Sequence, residues 1–361
     1  MSSTSECTHI CSVNTEINTS AADSVQKNHN SSQDVNPSNN DQQEKHDSKS
    51  DQNNTNDHNK NDQSNQPDPS PTVPISNGCK RARENGNSVI SESLRTKFLK
   101  YKGGRVVLEK DDTTGIAVIR LDNPQRKNSL SGSMMIDLSR IVDELEHWDK
   151  GKGIIFHGTG GFFSSGGDMN TVKLIDNMED GRDMGILMYD SLQRLQKLPM
   201  ISVALIEGKA IGGGAELTTA CDFRLMSETA KLGFVHIKLG ITVSWGGGTR
   251  LVQIVGANKA LELLTSGRQL TAKEALEIGL INGILSEPQT PENPSILMQA
   301  KEWLSQHTHG PRETIAIIKK IIYSSSSLLS KESLRNEFEL FPQLWGSPPH
   351  KKALSMNIKL R

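Results

Sequence analysis

Two glycine-rich stretches in this sequence are spaced to do chemistry. One is Phe163-Ser164-Ser165-Gly166-Gly167-Asp168; the other is Gly208-Lys209-Ala210-Ile211-Gly212-Gly213-Gly214-Ala215-Glu216. Each follows an apolar, β-branched run and leads into a segment that reads as helix. Glycine leaves its backbone N–H approachable because no Cβ stands in the way. A helix start adds unpaired donors and a partial positive charge. Two such donors converging on one point would hold an oxyanion, for example the enolate oxygen of a thioester.

Other residues near these stretches have two readings each. Glu216 lies in the first turn of a helix, where a carboxylate is favoured in any protein; its other reading is as proton donor or as positioner of substrate or water. His236 is either a buried, hydrogen-bonded imidazole at a strand end or an acid. Trp245, followed by three glycines, packs in the core or against the reacting group. Asp168 reads as the cap of the helix that follows it. Ser164 and Ser165 do not sit in Gly-x-Ser-x-Gly and are not read as nucleophiles. Cys221 reads as a small apolar residue under the sheet.

The elements that must position these residues follow from periodicity. Residues 105–108 and 116–121 form two short β patterns around the turn signal Asp111-Asp112-Thr113-Thr114-Gly115. A helix is expected from 131 to 148, capped by Ser131, with Met134, Met135, Leu138, Ile141, Val142 and Leu145 at helical spacing. Strands at 153–158 and 201–206 run into the two glycine stretches, separated by a helix over 184–195. Further strands are expected at 222–226 and 231–235. Strand, crossover helix and strand repeat, which implies an α/β core with parallel pairing. Beyond Thr249 the pattern is mostly helical, at 250–255, 259–264, 272–278, 296–305, 312–323 and 330–340.

Composition sets limits on class. The chain has 361 residues, but the segment over 1–93 is dominated by Ser, Asn, Asp, Gln and Lys and reads as a disordered tail. The remaining ~270 residues are ample for one large domain. A formal net charge of −1 gives no global field toward nucleic acid or membrane. No apolar run approaches the ~20 residues needed to span a bilayer. The N-terminus lacks an apolar secretory region and is Arg-free until Arg81, unlike a mitochondrial presequence. The four scattered cysteines, Cys7, Cys11, Cys79 and Cys221, make no disulfide framework, and none has companions at metal spacing. A cytosolic protein without a metal is expected.

At its glycine motifs the sequence resembles the crotonase (enoyl-CoA hydratase/isomerase) superfamily, from about Gly104 to the C-terminus. The family pairs a Ser/Ala-Gly-x-Asp loop with a Gly-Gly-Gly-x-Glu helix start, and both occur here in order, followed by Cys221-Asp222-Phe223-Arg224. The resemblance implies a spiral of ββα units over 94–290 and a helical C-terminal region over 291–361, for assembly or site cover. It implies a homotrimer or hexamer acting on an acyl-CoA thioester, with no separate cofactor because coenzyme A is part of the substrate. Carried over, the oxyanion donors are the N–H groups of Gly167 and Gly213, with Ser165, Gly166, Asp168, Gly212 and Trp245 around the substrate. Arg126 and Lys127, on the loop after the first hairpin, fall in the region that grips the CoA phosphates.

One departure bears on the reaction. Hydratases of this family use two carboxylates to hold one water; here Glu216 occupies the first position and His236 aligns with the second. Decarboxylation of an α-carboxyacyl thioester needs no base on carbon, only a place for the enolate and a proton for the α-carbon. The stretch from His236 to Gly247 resembles a branch that decarboxylates short branched carboxyacyl-CoA thioesters, in which His236 would be an acid or a contact to the departing carboxylate. That activity is expected. Enoyl-CoA hydration or isomerisation is the alternative, and a non-catalytic RNA- or protein-binding member of the fold is a third, against which stands the lack of a basic stripe with interleaved aromatics.

Overall fold

The computed structural model describes residues 90–326, 338 and 340–356. The expected tail over 1–93 lies outside these residues except for its last four, and the helix expected over 330–340 lies outside them except at 338 and 340. The folded part begins before Leu94. Ile90 is buried, and the Ser91 hydroxyl accepts from the Leu94 N–H to cap helix α1 (Glu92–Phe98).

Six strands form the main sheet, in the order β1 (Arg105–Asp111), β2 (Ile116–Asp122), β3 (Gly153–Gly158), β4 (Ile201–Ile206), β6 (Phe223–Ser227) and β9 (Gly283–Leu285). The first pair is an antiparallel hairpin and the other pairings are parallel. The Asp111 carboxylate accepts from Thr113 N–H at 2.9 Å and closes the hairpin turn. Strands β3 and β4 are mostly apolar, with only His157 and Ser202 polar, because both faces are covered. Ile154, Phe156, Ala204 and Ile206 point into one core; Ile155, Val203 and Leu205 point into another.

The first core is filled by α2 (Gly132–Glu146) and α4 (Met178–Lys197), whose Met134, Leu138, Leu187 and Leu192 are fully buried. Ser131 caps α2 as expected, its hydroxyl accepting from Met134 N–H. The second core is closed by α9 (Ile296–Thr308) through Ile296, Ala300 and Leu304. That part of the C-terminal region is therefore a layer of the sheet's own core.

Helix α10 (Arg312–Ser326) is pinned to the sheet by charge. The Asp222 carboxylate accepts from Lys319 Nζ at 2.8 Å, Tyr323 OH at 2.7 Å and Ser202 N–H at 2.7 Å. Lys319 also donates to the Met200 carbonyl at 2.7 Å. Next to it, the buried Arg224 guanidinium donates to the carbonyls of Leu280 and Cys221. The Cys221–Arg224 motif is thus a structural junction between strand and helix ends.

A second sheet is not foreshadowed by the sequence pattern. It joins β5 (Lys209–Ile211), β7 (Lys231–Gly233) and β8 (Gln269–Thr271). Three-residue strands are too short to show period-two alternation, and β7 stops at Gly233 rather than Val235, which leads into a 3-10 segment over His236–Leu239. Helix α7 (Ala257–Ser266) precedes β8, and Thr271 forms a capping box with Glu274 at the start of α8 (Ala272–Glu277).

Candidate active site

The two glycine stretches, distant in sequence, meet in space through direct backbone pairing. Ser164 N–H donates to the Lys209 carbonyl at 3.1 Å, and Ile211 N–H donates to the Ser164 carbonyl at 2.9 Å. On its other side the first stretch is held by Leu130, which donates to the Gly166 carbonyl and accepts from Asp168 N–H, each at 2.8 Å. Gly166 has φ +91°, and a Cβ there would fall 2.9 Å from the Gly213 nitrogen. A Cβ at Gly214 would fall 2.3 Å from the Ser164 carbonyl oxygen. Glycine is required at both positions by this close approach. The N–H groups of Gly167 and Gly213 have no acceptor among the described residues, and both residues line one cavity.

Glu216 stands in the first turn of α5 (Gly213–Thr219) and is fully enclosed. Its Oε2 accepts from Trp245 N–H at 2.9 Å, Gly247 N–H at 3.1 Å and Ser244 N–H at 3.3 Å. Its Oε1 lies 2.9 Å from His236 Nε2. A Cβ at Gly247 would come within 2.6 Å of Oε2, so glycine there lets the amides at the start of α6 (Gly247–Val255) close on the carboxylate. The other ring nitrogen of His236, Nδ1, is buried without a partner among the described residues. Trp245 is fixed at both backbone ends, its carbonyl accepting from Arg250 Nη2 at 2.7 Å. Its ring lies against Gly213, where a Cβ would fall 2.5 Å from Cη2 and Cζ3.

The cavity measures about 60 Å³. Of the residues singled out from the sequence, Gly167, Gly212, Gly213, Glu216, His236 and Trp245 line it, together with Ser165. Gly166, Asp168, Arg126 and Lys127 do not. Gly166 lies behind the wall as the point of close approach. Asp168 spends its carboxylate elsewhere: Oδ1 caps α3 (Met169–Leu174) by accepting from Asn170 and Thr171 N–H, and Oδ2 accepts from Ser129 Oγ and Arg126 Nη1. Arg126 and Lys127 are exposed on a turn next to the wall, where Ser165 N–H donates to the Lys127 carbonyl at 3.0 Å.

That turn carries two successive non-glycine residues at positive φ, Lys127 at +52° and Asn128 at +51°. Asn128 holds it in place. Its Nδ2 donates to the carbonyls of Thr159 at 2.8 Å and Phe162 at 2.6 Å, its Oδ1 accepts from Asn123 N–H, and its own carbonyl accepts from Ser164 Oγ.

Sequence reasoning missed the apolar end of the cavity, made by Met169, Val172, Met184, Phe341 and Trp345. Trp345 is anchored by its indole N–H on the Ile175 carbonyl, and Gly181 leaves it room. The i, i+4 spacing of the two aromatics was the available signal. Among the described residues, no lysine or arginine lines the cavity and no cluster of metal-binding side chains occurs. None of the described helices is long and apolar enough to cross a membrane.

Comparison with known proteins adds chemistry to this geometry. A family model described as enoyl-CoA hydratase/isomerase matches residues 111–358. Ethylmalonyl-CoA decarboxylase of Homo sapiens is 42% identical over 295 residues, covering 80% of this chain and 95% of that protein. The Xenopus laevis protein of the same name is 43% identical over 266 residues, covering 74% of this chain and 87% of its own. Among solved structures, an enoyl-CoA hydratase from Bacillus halodurans superposes with a TM-score of 0.63 at 27% identity, over 70% of this chain and 99% of that one.

Proposed function

Because the chain belongs to the enoyl-CoA hydratase/isomerase family, we propose that it is a carboxy-lyase converting ethylmalonyl-CoA to butyryl-CoA and CO₂, with methylmalonyl-CoA also accepted. One observation carries this reading beyond the names of its relatives. Among the described residues the cavity wall holds a single carboxylate, Glu216, whose oxygens are committed to three backbone amides and His236. A pair of carboxylates free to hold one water, as hydration requires, is not present among the lining residues.

Decarboxylation uses what is there. The thioester carbonyl oxygen is received by the N–H groups of Gly167 and Gly213, and the charge that develops on it as the C–C bond breaks strengthens both hydrogen bonds. Each such donor is worth about 3–4 kcal/mol in the transition state. The end of the wall made by Met169, Val172, Met184, Phe341 and Trp345 carries no charge, so a substrate carboxylate lying against it is not held back as it becomes uncharged CO₂. Arg126 and Lys127, exposed on the turn whose Lys127 carbonyl accepts from Ser165 N–H, would meet the phosphates of coenzyme A outside the cavity. The reaction needs no cofactor beyond the CoA of the substrate.

The role is metabolite repair in the cytosol, removing a product of misdirected carboxylation of butyryl-CoA. The exposed Ile317, Ile318, Ile321 and Ile322 on α10 form an apolar face suited to contact between copies, in a trimer or hexamer. Incubation of purified protein with ethylmalonyl-CoA, followed by mass spectrometry, is expected to give butyryl-CoA. Its absence, or faster turnover of crotonyl-CoA to the hydroxyacyl thioester, would refute the assignment.

A further inference from the structure

We propose that His236 is the acid that returns a proton to the α-carbon, and that Glu216 acts only through it, as a positioning residue. The inference rests on the decarboxylase reading above. It starts from the contrast between two neighbouring side chains. Both oxygens of Glu216 are occupied, Oε2 by the amides of Ser244, Trp245 and Gly247 and Oε1 by the imidazole. Glu216 is part of the wall, but each of its oxygens is already tied to a fixed partner, three main-chain amides on one side and the imidazole on the other.

His236 is the opposite case. Its Nε2 is taken up by Glu216 Oε1 at 2.9 Å, which assigns the Nε2 proton to that bond. Nδ1 is buried and has no partner among the described residues, and His236 lines the cavity. An unpartnered buried ring nitrogen is costly in a resting fold, and at a substrate cavity it marks the atom kept for the ligand. A carboxylate on the far side of the ring fixes its orientation and is the counter-charge that a doubly protonated imidazole requires.

The step balances without any further reagent. The bond between the α-carbon and the carboxyl carbon breaks, CO₂ leaves, and the electron pair enters the enolate held by the Gly167 and Gly213 amides. The enolate carbon then takes the proton from Nδ1 as the thioester carbonyl re-forms. His236 is left neutral and regains its proton from water, so one proton is consumed for each CO₂ released.

The test is turnover of ethylmalonyl-CoA in ²H₂O, with the configuration of the α-deuterium in butyryl-CoA determined. The wild-type protein should give one enantiomer, since a fixed acid approaches one face. His236→Gln should lose about 10²-fold or more in kcat at nearly unchanged KM, within the range for a general acid, and its residual product should carry deuterium in both configurations. Glu216→Gln should also lower kcat at unchanged KM, and the double variant should be no slower than His236→Gln alone, because the two residues act as one unit. Additive losses, or a His236→Gln product that is still a single enantiomer at near wild-type kcat, would overturn the inference. Racemic deuterium from the wild-type protein would do so without any variant, should the substitutions prevent folding. A wild-type protein that makes no butyryl-CoA would instead sink the functional reading itself.

Discussion

Replacing Gly213 with alanine tests the amide cradle most directly, because alanine keeps the N–H and changes only its surroundings. The new Cβ would fall 2.5 Å from Cη2 and Cζ3 of the Trp245 ring, where ordinary contact is 3.4–4 Å. One of the two must retreat by about 1 Å, and a buried group forced off its packing in this way costs about 1–3 kcal/mol. The ring has little freedom, since the Trp245 N–H is held by Glu216 and its carbonyl by Arg250. The glycine loop must therefore yield, taking its amide off target. Loss of one oxyanion donor is worth about 10²–10³ in kcat. Steady-state kinetics on ethylmalonyl-CoA should show that loss with little change in KM, and melting should fall by roughly 2–4 °C per kcal/mol. Pairing Gly213→Ala with Trp245→Leu should recover at least about tenfold of the lost kcat, as the added methyl regains its space. A stable Gly213→Ala protein with kcat within about threefold of wild type would show that this amide does not hold the oxyanion.

Other perturbations have equally definite outcomes. Gly247→Ala would press a methyl to 2.6 Å from Glu216 Oε2; a destabilisation of about 1–3 kcal/mol in urea unfolding is expected, with loss of turnover. Lys319→Met would leave the Asp222 carboxylate buried without its ammonium; about 3–5 kcal/mol should be lost, and adding Asp222→Asn should restore part of it. Burial, aided by Arg120, lowers the pKa of His157 below its ordinary value of 6.5. Above that pH the residue is neutral in both states; as the pH falls through 6.5 the unfolded chain takes up a proton that the folded one resists, so stability declines. His157→Leu should flatten that decline in melts taken as the pH is lowered through 6.5. Burial pushes the Cys221 thiol up to about 12, so peptide mapping after iodoacetamide at about pH 8 should find it unmodified in native protein and modified in denaturant.

Much of the scaffold was legible because its strands are buried on both sides. The runs at 153–158 and 201–206 match β3 and β4 residue for residue, since short runs this rich in Ile, Val, Leu and Phe are stable only when buried. Helix α4 was legible only in its apolar half. Its first turn, with Glu179 and Asp180 under an Asn177 cap, looks like loop until the cap is seen. At the site, the glycines could be found because backbone proximity demands them. Of the partners of Glu216 only His236 could, because the others are main-chain amides of Ser244, Trp245 and Gly247, and an amide has no letter in the sequence. Asp168 was legible as a cap but not as excluded from the cavity, which depends on Ser129 and Arg126 folding back onto it. Phe341 and Trp345 reach the cavity from far along the chain, where local pattern says nothing about distance closed by folding.

The knot at Asn128 has a bearing on how this protein ages. Asparagine followed by serine is a pair prone to hydrolyse its side-chain amide once the backbone is free to bend. Here that amide is locked against Thr159 and Phe162. Conversion to aspartate would exchange two donated hydrogen bonds for a negative oxygen facing two carbonyl oxygens, beneath the loop that carries the first glycine pair. The lifetime of the site is then set by how seldom this loop opens, and a one-dalton mass gain at position 128 would be the record of each opening that was not reversed in time.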